Sequence, residues 1–144
     1  MISLLDANVL LSLCWEELEG HEAARTWFHA HAHHGWATCT LTESAFLRLS
    51  MNSKLFPDPA TFAEALAVLG ALRSSANHHF LLPTGPLDES YPVRRIRGYK
   101  QVTDATLLAL ARQQQARLIS FDQGLISLAQ TPGWTDSLHI LELK

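Results

Sequence analysis

Short apolar runs alternate with longer stretches of helical spacing, and this alternation constrains the fold more than any other feature of the chain. The runs are too short for helices, so we predict strands at residues 2–5, 35–39, 79–82 and 118–121, with a further candidate at 139–143. Helices are predicted between them, and parallel strands require such crossovers. The pattern predicts an α/β fold of three layers, α/β/α, with a central and mostly parallel sheet of four to five short strands.

Length and composition predict one globular domain, residues 1–144. Of these residues 47% are apolar and 17% are charged, which is typical of a folded chain with one core. No apolar stretch reaches the roughly 18 residues that a membrane span needs. Asp6 and Asn8 interrupt the first apolar run and no basic stretch precedes it, so we expect no signal peptide and a cytoplasmic protein. Two cysteines predict reduced core residues instead of a disulfide framework or a zinc site: Cys14 and Cys39.

Four acidic residues stand at the ends of the predicted segments. Asp6 follows the first strand and Asp122 follows the fourth, whereas Glu43 and Asp104 lie in the first turns of predicted helices. Ligands of a parallel sheet bind beyond the carboxyl ends of its strands, and helices that follow strands begin at that same edge. The four carboxylates are therefore predicted to converge on one pocket.

Each acid also has an ordinary structural explanation. Asp6 suits the N-cap of the helix that follows it, and Asp122 suits a turn. Glu43 and Asp104 complement the positive ends of their helices. Taken singly, these explanations are favoured, whereas the order of all four acids along the chain favours a shared site.

Four segments, in this order, resemble the PIN-domain nucleases, and most closely the VapC toxins of bacterial toxin–antitoxin pairs. They are Leu5-Asp6-Ala7-Asn8-Val9-Leu10, Glu43, Val102-Thr103-Asp104-Ala105 and Ile119-Ser120-Phe121-Asp122. The resemblance extends over almost the whole chain. Glu43 is placed mainly by its order and spacing, and residues 57–99 carry little family signal.

The resemblance implies a PIN-like α/β/α fold and an endoribonuclease that is the toxin of a VapBC-type pair. It also implies a homodimer, an RNA substrate and a VapB-type antitoxin as partner. We expect neither a membrane nor a small-molecule organic cofactor as partner. The acids implied to bind metal and catalyse are Asp6, Glu43, Asp104 and Asp122. Three further positions are implied to support the pocket, namely Asn8, Ser120 and, as the cap of the helix that carries Asp104, Thr103.

Carboxylates that share a pocket favour a particular kind of metal. They repel one another, and a divalent cation relieves that repulsion. Oxygen ligands with retained water suit Mg²⁺ or Mn²⁺, whereas zinc prefers histidine and cysteine. Such an ion lowers the pKa of a bound water and neutralises charge on a phosphodiester, whether one ion is held or two. We expect Asp6, Asp104 and Asp122 to bind it, and Glu43 to complete the shell or orient the attacking water.

A basic cluster lies just before the third acid, although the formal net charge of the chain is −3. The cluster holds four of the eleven Lys and Arg residues, and Tyr99 lies within it. Its cations are candidates to hold an RNA backbone, with Tyr99 stacking on a base; a solvated loop is the alternative. The cluster consists of Arg94, Arg95, Arg97 and Lys100.

Several alternatives stay open at this point. An aspartyl phosphatase typically needs a second aspartate two residues after the first, where this chain has Asn8. A non-catalytic interaction module is disfavoured by the presence of all four acids. A stand-alone PIN-domain nuclease differs from the toxin in having no antitoxin. The histidines of residues 29–34 are expected at an exposed helix end, although His29 and His33 have the spacing of metal ligands on one helix face.

Overall fold

A computed structural model describes residues 1–83, 85–88 and 90–143 of the chain. In these residues five strands form one sheet in the order β3-β2-β1-β4-β5, and every neighbouring pair is parallel. The strands are β1 (Ile2–Leu5), β2 (Trp36–Cys39), β3 (His78–Leu81), β4 (Ala116–Ser120) and β5 (Leu138–Ile140). The predicted fold class and the parallel sheet are confirmed.

Six α-helices connect or follow these strands in the described residues. They are α1 (Ala7–Cys14), α2 (His21–His31), α3 (Thr40–Ser50), α4 (Phe62–Arg73), α5 (Lys100–Gln113) and α6 (Leu125–Ala129). Short 3₁₀ turns cover Ala32–His34, Val93–Arg95 and Thr135–Ser137.

The helices form a layer on each face of the sheet. Leu4 packs with residues of α5 and α6, whereas the next residue, Leu5, packs with residues of α1, α3 and α4. Successive side chains of a strand point to opposite faces, so both faces of β1 are covered. This double burial explains why the central strands consist mostly of apolar residues.

The start of α4 follows its sequence signal. Thr61 Oγ1 accepts a hydrogen bond from the backbone N–H of Glu64 at 3.1 Å, and Glu64 Oε1 accepts one from the backbone N–H of Thr61 at 2.8 Å. This reciprocal pair is a capping box. The sequence offers Thr40 and Thr42 as candidate caps of α3, but neither is its N-cap. Cys39 is the N-cap, and the backbone N–H of Cys39 donates to the hydroxyl of Thr42 at 3.1 Å.

The start of α5 corrects another prediction, because Thr103 is not a helix cap. The helix begins at Lys100, and the side chain of Gln101 accepts a hydrogen bond from the backbone N–H of Arg97 at 2.6 Å. Gln101 thereby satisfies a donor just before the helix, which starts a turn earlier than predicted. Thr103 is an exposed fourth residue of α5, and Asp104 lies in the second turn instead of the first.

Three further expectations are met in the described residues. No helix there has both the length and the apolar character needed to cross a membrane. Cys14 and Cys39 are free thiols, and burial raises the pKa of Cys14 to about 12, as expected of a reduced core residue. The histidines predicted at an exposed helix end are all exposed, at the end of α2 and in the turn after it.

The two threonines permit a matched test of helix capping. Thr61→Ala should lower the free energy of unfolding by about 1 kcal/mol, because it removes the side chain that caps α4. Thr103→Ala should change it by less than about 0.5 kcal/mol, because that exposed side chain caps nothing. Urea denaturation of both variants checks this difference, and equal losses would contradict the assigned caps.

Candidate active site

Asp6 and Ser120 meet because β1 and β4 are adjacent and in register. Leu5 pairs with Ile119, so the next residue of each strand reaches the carboxyl edge of the sheet beside the other. Ser120 Oγ donates to Asp6 Oδ2 at 2.7 Å, and the backbone N–H of Ala7 donates to Asp6 Oδ1 at 2.7 Å. Asp6 is therefore both the N-cap of α1 and a carboxylate held in one orientation.

Asn8 fixes the same corner of the molecule. Its Nδ2 donates to Ser120 Oγ at 3.0 Å, and its Oδ1 accepts from the backbone N–H of Phe121 at 3.1 Å. The backbone N–H of Asp122 also donates to Ser120 Oγ, at 3.0 Å. The Ser120 hydroxyl uses its one donor position and both acceptor positions in this way. Ser120 therefore hydrogen-bonds Asp6 and the backbone of Asp122 directly, whereas Asn8 reaches the acids only through Ser120 and the backbone of Phe121.

Asp104 joins these two aspartates electrostatically. Burial, followed by the charges of Asp122 and Asp6, raises the pKa of Asp104 to about 6. Burial also raises the pKa of Asp6, with a smaller contribution from Asp122 and against the lowering effect of its hydrogen bonds from Ser120 and Ala7. Three carboxylates therefore act on one another at the carboxyl edge of the sheet: Asp6 follows β1, Asp122 follows β4, and Asp104 lies in α5.

Glu43 lies in the first turn of α3, as predicted, but it makes different contacts. Its Oε1 accepts from Arg73 Nη1 at 2.9 Å, which is an ion pair, and its Oε2 accepts from the hydroxyl of Thr38 at 2.6 Å. The Thr38 hydroxyl also contacts His78 Nε2 at 2.8 Å. In the described part of the chain, none of the hydrogen bonds or ion pairs of Glu43 is with an aspartate.

The partners of Glu43 were not found from the sequence. Arg73 lies 30 residues beyond Glu43 and ends α4, and His78 lies 40 residues beyond Thr38 and begins β3. Neither residue belongs to a sequence motif. The contacts of Arg73 with Glu43 and of His78 with Thr38 depend on how α4 and β3 pack beside α3. No local pattern in the sequence signals this contact.

The aspartates fit a divalent cation by their chemistry. They offer only oxygen donors, and their mutual repulsion is of the kind that Mg²⁺ or Mn²⁺ relieves. In residues 1–83, 85–88 and 90–143, however, no three His, Cys, Asp or Glu side chains are grouped so as to hold one metal ion. Mg²⁺ usually keeps several waters in its coordination shell, so carboxylates that are set apart in this way could contact the ion partly through those waters. The assignment of the four acids as metal ligands stays a prediction.

The basic cluster lies beside the elements that carry Asp104 and Asp122. Arg95 Nη1 donates to the carbonyl oxygen of Ser127 in α6 at 3.4 Å, and Lys100, the last residue of the cluster, is the first residue of α5. All four cations of the cluster are exposed. Tyr99 is 84% exposed, and Lys100 Nζ stands 6.0 Å from its ring centroid. The cluster and Tyr99 are therefore exposed, on a segment that contacts α6.

Comparisons with known proteins agree with this fold. The model of the PIN domain family matches residues 3–130. The chain is 47% identical over 130 residues to Ribonuclease VapC38 of Mycobacterium tuberculosis, covering 90% of this chain and 91% of that protein. It is 38% identical over 137 residues to Ribonuclease VapC44 of the same organism, covering 94% and 95%.

A solved structure shares the fold across the whole chain. It is the crystal structure of VapBC2 from Rickettsia felis bound to a DNA fragment from their promoter, which matches with a TM-score of 0.66. The match covers 99% of this chain and 100% of that chain at 12% sequence identity. At that identity the likeness concerns the fold alone.

The raised pKa of Asp104 predicts a specific pH dependence of stability. The folded protein binds this proton more tightly than the unfolded chain, whose aspartate titrates near 3.8. Stability should therefore fall as the pH rises from about 3.8 to about 6, with the loss fully present above that window. Asp104→Asn removes this loss. The free energy of unfolding of the variant, relative to that of the wild type, should therefore increase through the window and then level off. Urea denaturation of metal-free protein at a series of pH values measures it.

Asp122→Asn provides the control for this assignment. Removing the Asp122 charge should lower the pKa of Asp104, because that charge is one cause of the increase. Carbon NMR of the Asp104 carboxyl group measures the shift directly. An Asp104 carboxyl that titrates at the ordinary value in the wild type would contradict the described crowding of charge.

Proposed function

The chain belongs to the PIN-domain family, and from this membership we propose that it is a metal-dependent endoribonuclease, the toxin of a VapBC-type toxin–antitoxin pair. Relatives named ribonuclease align with nine-tenths or more of their own length, which supports the activity. The observation that carries the proposal is the set of Asp6, Asp104 and Asp122, three mutually repelling carboxylates at the edge where ligands of a parallel sheet bind.

The proposed chemistry is hydrolysis of an RNA phosphodiester. A bound Mg²⁺ or Mn²⁺ would supply an activated water and neutralise charge on the phosphate. Asp6, Asp104 and Asp122 would hold that cation with retained water. Ser120 and Asn8 keep the Asp6 carboxylate in one orientation through their hydrogen bonds, as groups behind a metal ligand usually do.

Substrate binding needs positive charge beside this acidic site, because RNA and the aspartates repel each other. The basic cluster supplies it from an exposed segment next to α5 and α6. Tyr99 presents a ring on which an unpaired base stacks. We propose that Arg94 and Arg95 hold the backbone of single-stranded RNA there.

A groove beside α4 fits the proposed antitoxin. It has a volume of about 450 Å³ and combines apolar residues such as Trp15, Phe56 and Val68 with the acids Glu17 and Glu64. An antitoxin segment that presents apolar and basic side chains complements such a lining. The crystal structure that includes VapBC2 from Rickettsia felis supports a VapB-type partner for this fold.

We also propose that the toxin is a homodimer. Large apolar side chains are exposed on α3, on the start of α4 and on the edge strand β3, and such exposure is typical of a surface that another protein covers. The exposed side chains are Met51, directly after α3, Phe62 and Phe80, and the half-buried Leu47 of α3 lines the same groove.

The catalytic assignment predicts that Asp6→Asn abolishes metal-dependent RNA cleavage. The loss should be about 100-fold or more, because the substitution removes a charged ligand and leaves its neighbours in place. Mapping of RNA ends after incubation with Mg²⁺, and again with EDTA, measures the effect. Asp136→Asn is the matched control, since Asp136 is an exposed acid before the amino end of β5, at the opposite edge of the sheet. Full cleavage by a folded Asp6→Asn protein would exclude the assignment.

The RNA-binding assignment predicts weaker binding by the Arg94→Ala, Arg95→Ala double variant. Loss of two phosphate contacts should reduce the slope of log affinity against log salt by about 1.4 for single-stranded RNA. Fluorescence anisotropy in an Asp6→Asn background measures affinity without cleavage. The control is Arg25→Ala with Arg48→Ala, which removes two exposed arginines from α2 and α3. An unchanged slope in the first pair would show that the cluster does not touch RNA.

A further inference from the structure

Protein donors engage both oxygens of the Glu43 carboxylate. Arg73 Nη1 donates to Oε1 at 2.9 Å and the Thr38 hydroxyl donates to Oε2 at 2.6 Å. The Glu43 side chain is only 12% exposed, whereas that of Arg73 is 37% exposed. Arg73 is the residue that supplies the counter-charge, because Thr38 is neutral. Arg73 therefore balances the negative charge of Glu43.

A buried hydroxyl fixes the orientation of this pair. Thr38 is fully buried in β2, and its hydroxyl proton is directed to Glu43. The oxygen of Thr38 can then only accept from His78 Nε2, 2.8 Å away, so that nitrogen carries the hydrogen. The chain of hydrogen bonds joins β3, β2 and α3, and Arg73 adds α4 to it.

Glu43 is nevertheless one strand away from the aspartates. Leu4 of β1 pairs with Ala37 of β2, so Thr38 lies beside the end of the strand that Asp6 follows. From that position the Glu43 carboxylate is turned to Arg73, on the side of β3 and α4. A cation at the aspartates and the guanidinium of Arg73 are thus two alternative partners for one carboxylate.

We infer that Arg73 is a positioning residue that holds Glu43 away from the aspartates in the metal-free protein, and that a divalent cation draws Glu43 into the site by displacing Arg73. The inference rests on the proposed function and adds a residue that sets the affinity for the cation. The ion pair between Glu43 and Arg73 would lower the affinity for the cation, because the cation must displace Arg73 before Glu43 can bind it. The geometry accounts for the finding that Glu43, although expected among the aspartates, contacts none of them.

The first experiment measures Mn²⁺ affinity by calorimetry with purified full-length protein. Arg73→Gln should bind Mn²⁺ about tenfold more tightly than the wild type, since it removes one charge-assisted hydrogen bond from the state in which Glu43 is paired with Arg73. Arg73→Lys keeps the charge and should stay closer to the wild type. Arg48→Gln is the control, because Arg48 is an exposed arginine of α3 that makes no ion pair with a described residue. Unchanged or weaker Mn²⁺ binding by Arg73→Gln would overturn the inference.

A double-mutant cycle separates this role from simple charge repulsion. In a Glu43→Gln background the Arg73→Gln substitution should no longer change Mn²⁺ affinity, because the ion pair is already absent. If Arg73→Gln strengthens binding equally in both backgrounds, Arg73 acts by long-range repulsion and the inference is wrong.

A crystal structure of the wild type with Mn²⁺ tests the inference without any variant. Glu43 should leave Arg73 when Mn²⁺ occupies the aspartates, and an intact ion pair in that structure would overturn the inference. The proposed function is judged separately, by metal-dependent RNA cleavage. Wild-type cleavage together with unchanged Mn²⁺ affinity of Arg73→Gln would reject only the role of Arg73. Absence of cleavage would reject the function, and the Mn²⁺ measurements would still decide that role.

Discussion

The parallel pairing of β1 with β4 is the constraint on which the site depends. Because Leu5 lies beside Ile119, Asp6 and Ser120 reach the same edge of the sheet within hydrogen-bonding distance. Asn8, the second residue of α1, completes the corner through Ser120 and Phe121. A shift of one residue in this register would turn side chains to the opposite face and separate these groups.

The buried and mutually repelling carboxylates of the site lower the stability of the folded protein, and the hydrogen bonds to Asp6 offset part of that loss. Burial and repulsion raise the pKa of Asp104 to about 6, so its charged form is disfavoured where it stands. Asp6 is more deeply enclosed, but Ser120 and Ala7 donate to its carboxylate and partly counter the effect of burial on its pKa. Strongly perturbed carboxylates in one place are typical of functional sites. Their arrangement is the physical reason that a cation is expected there.

Much of the fold was predictable because its signals are local. The apolar runs and helical periodicities located the strands and helices. The prediction that Thr103 caps α5 was wrong, because the helix begins at Lys100. The side chain of Gln101 accepts a hydrogen bond from the backbone N–H of Arg97 just before that start. Among the site residues, Asp6 and Asp122 follow from strand polarity, and Asn8 and Ser120 from their positions beside them. Glu43 was placed correctly in its helix but not among its partners.

The sequence by itself determined the layered parallel sheet, the edge at which the acids gather and the family resemblance, because each of these depends on periodicity and order along the chain. Only the tertiary structure decided that Asp104 interacts electrostatically with Asp6 and Asp122, and that Glu43 pairs with Arg73. Arg73 reaches Glu43 from the end of α4, across 30 residues of chain. Such a pairing depends on how helices pack on the sheet, and no local pattern records it.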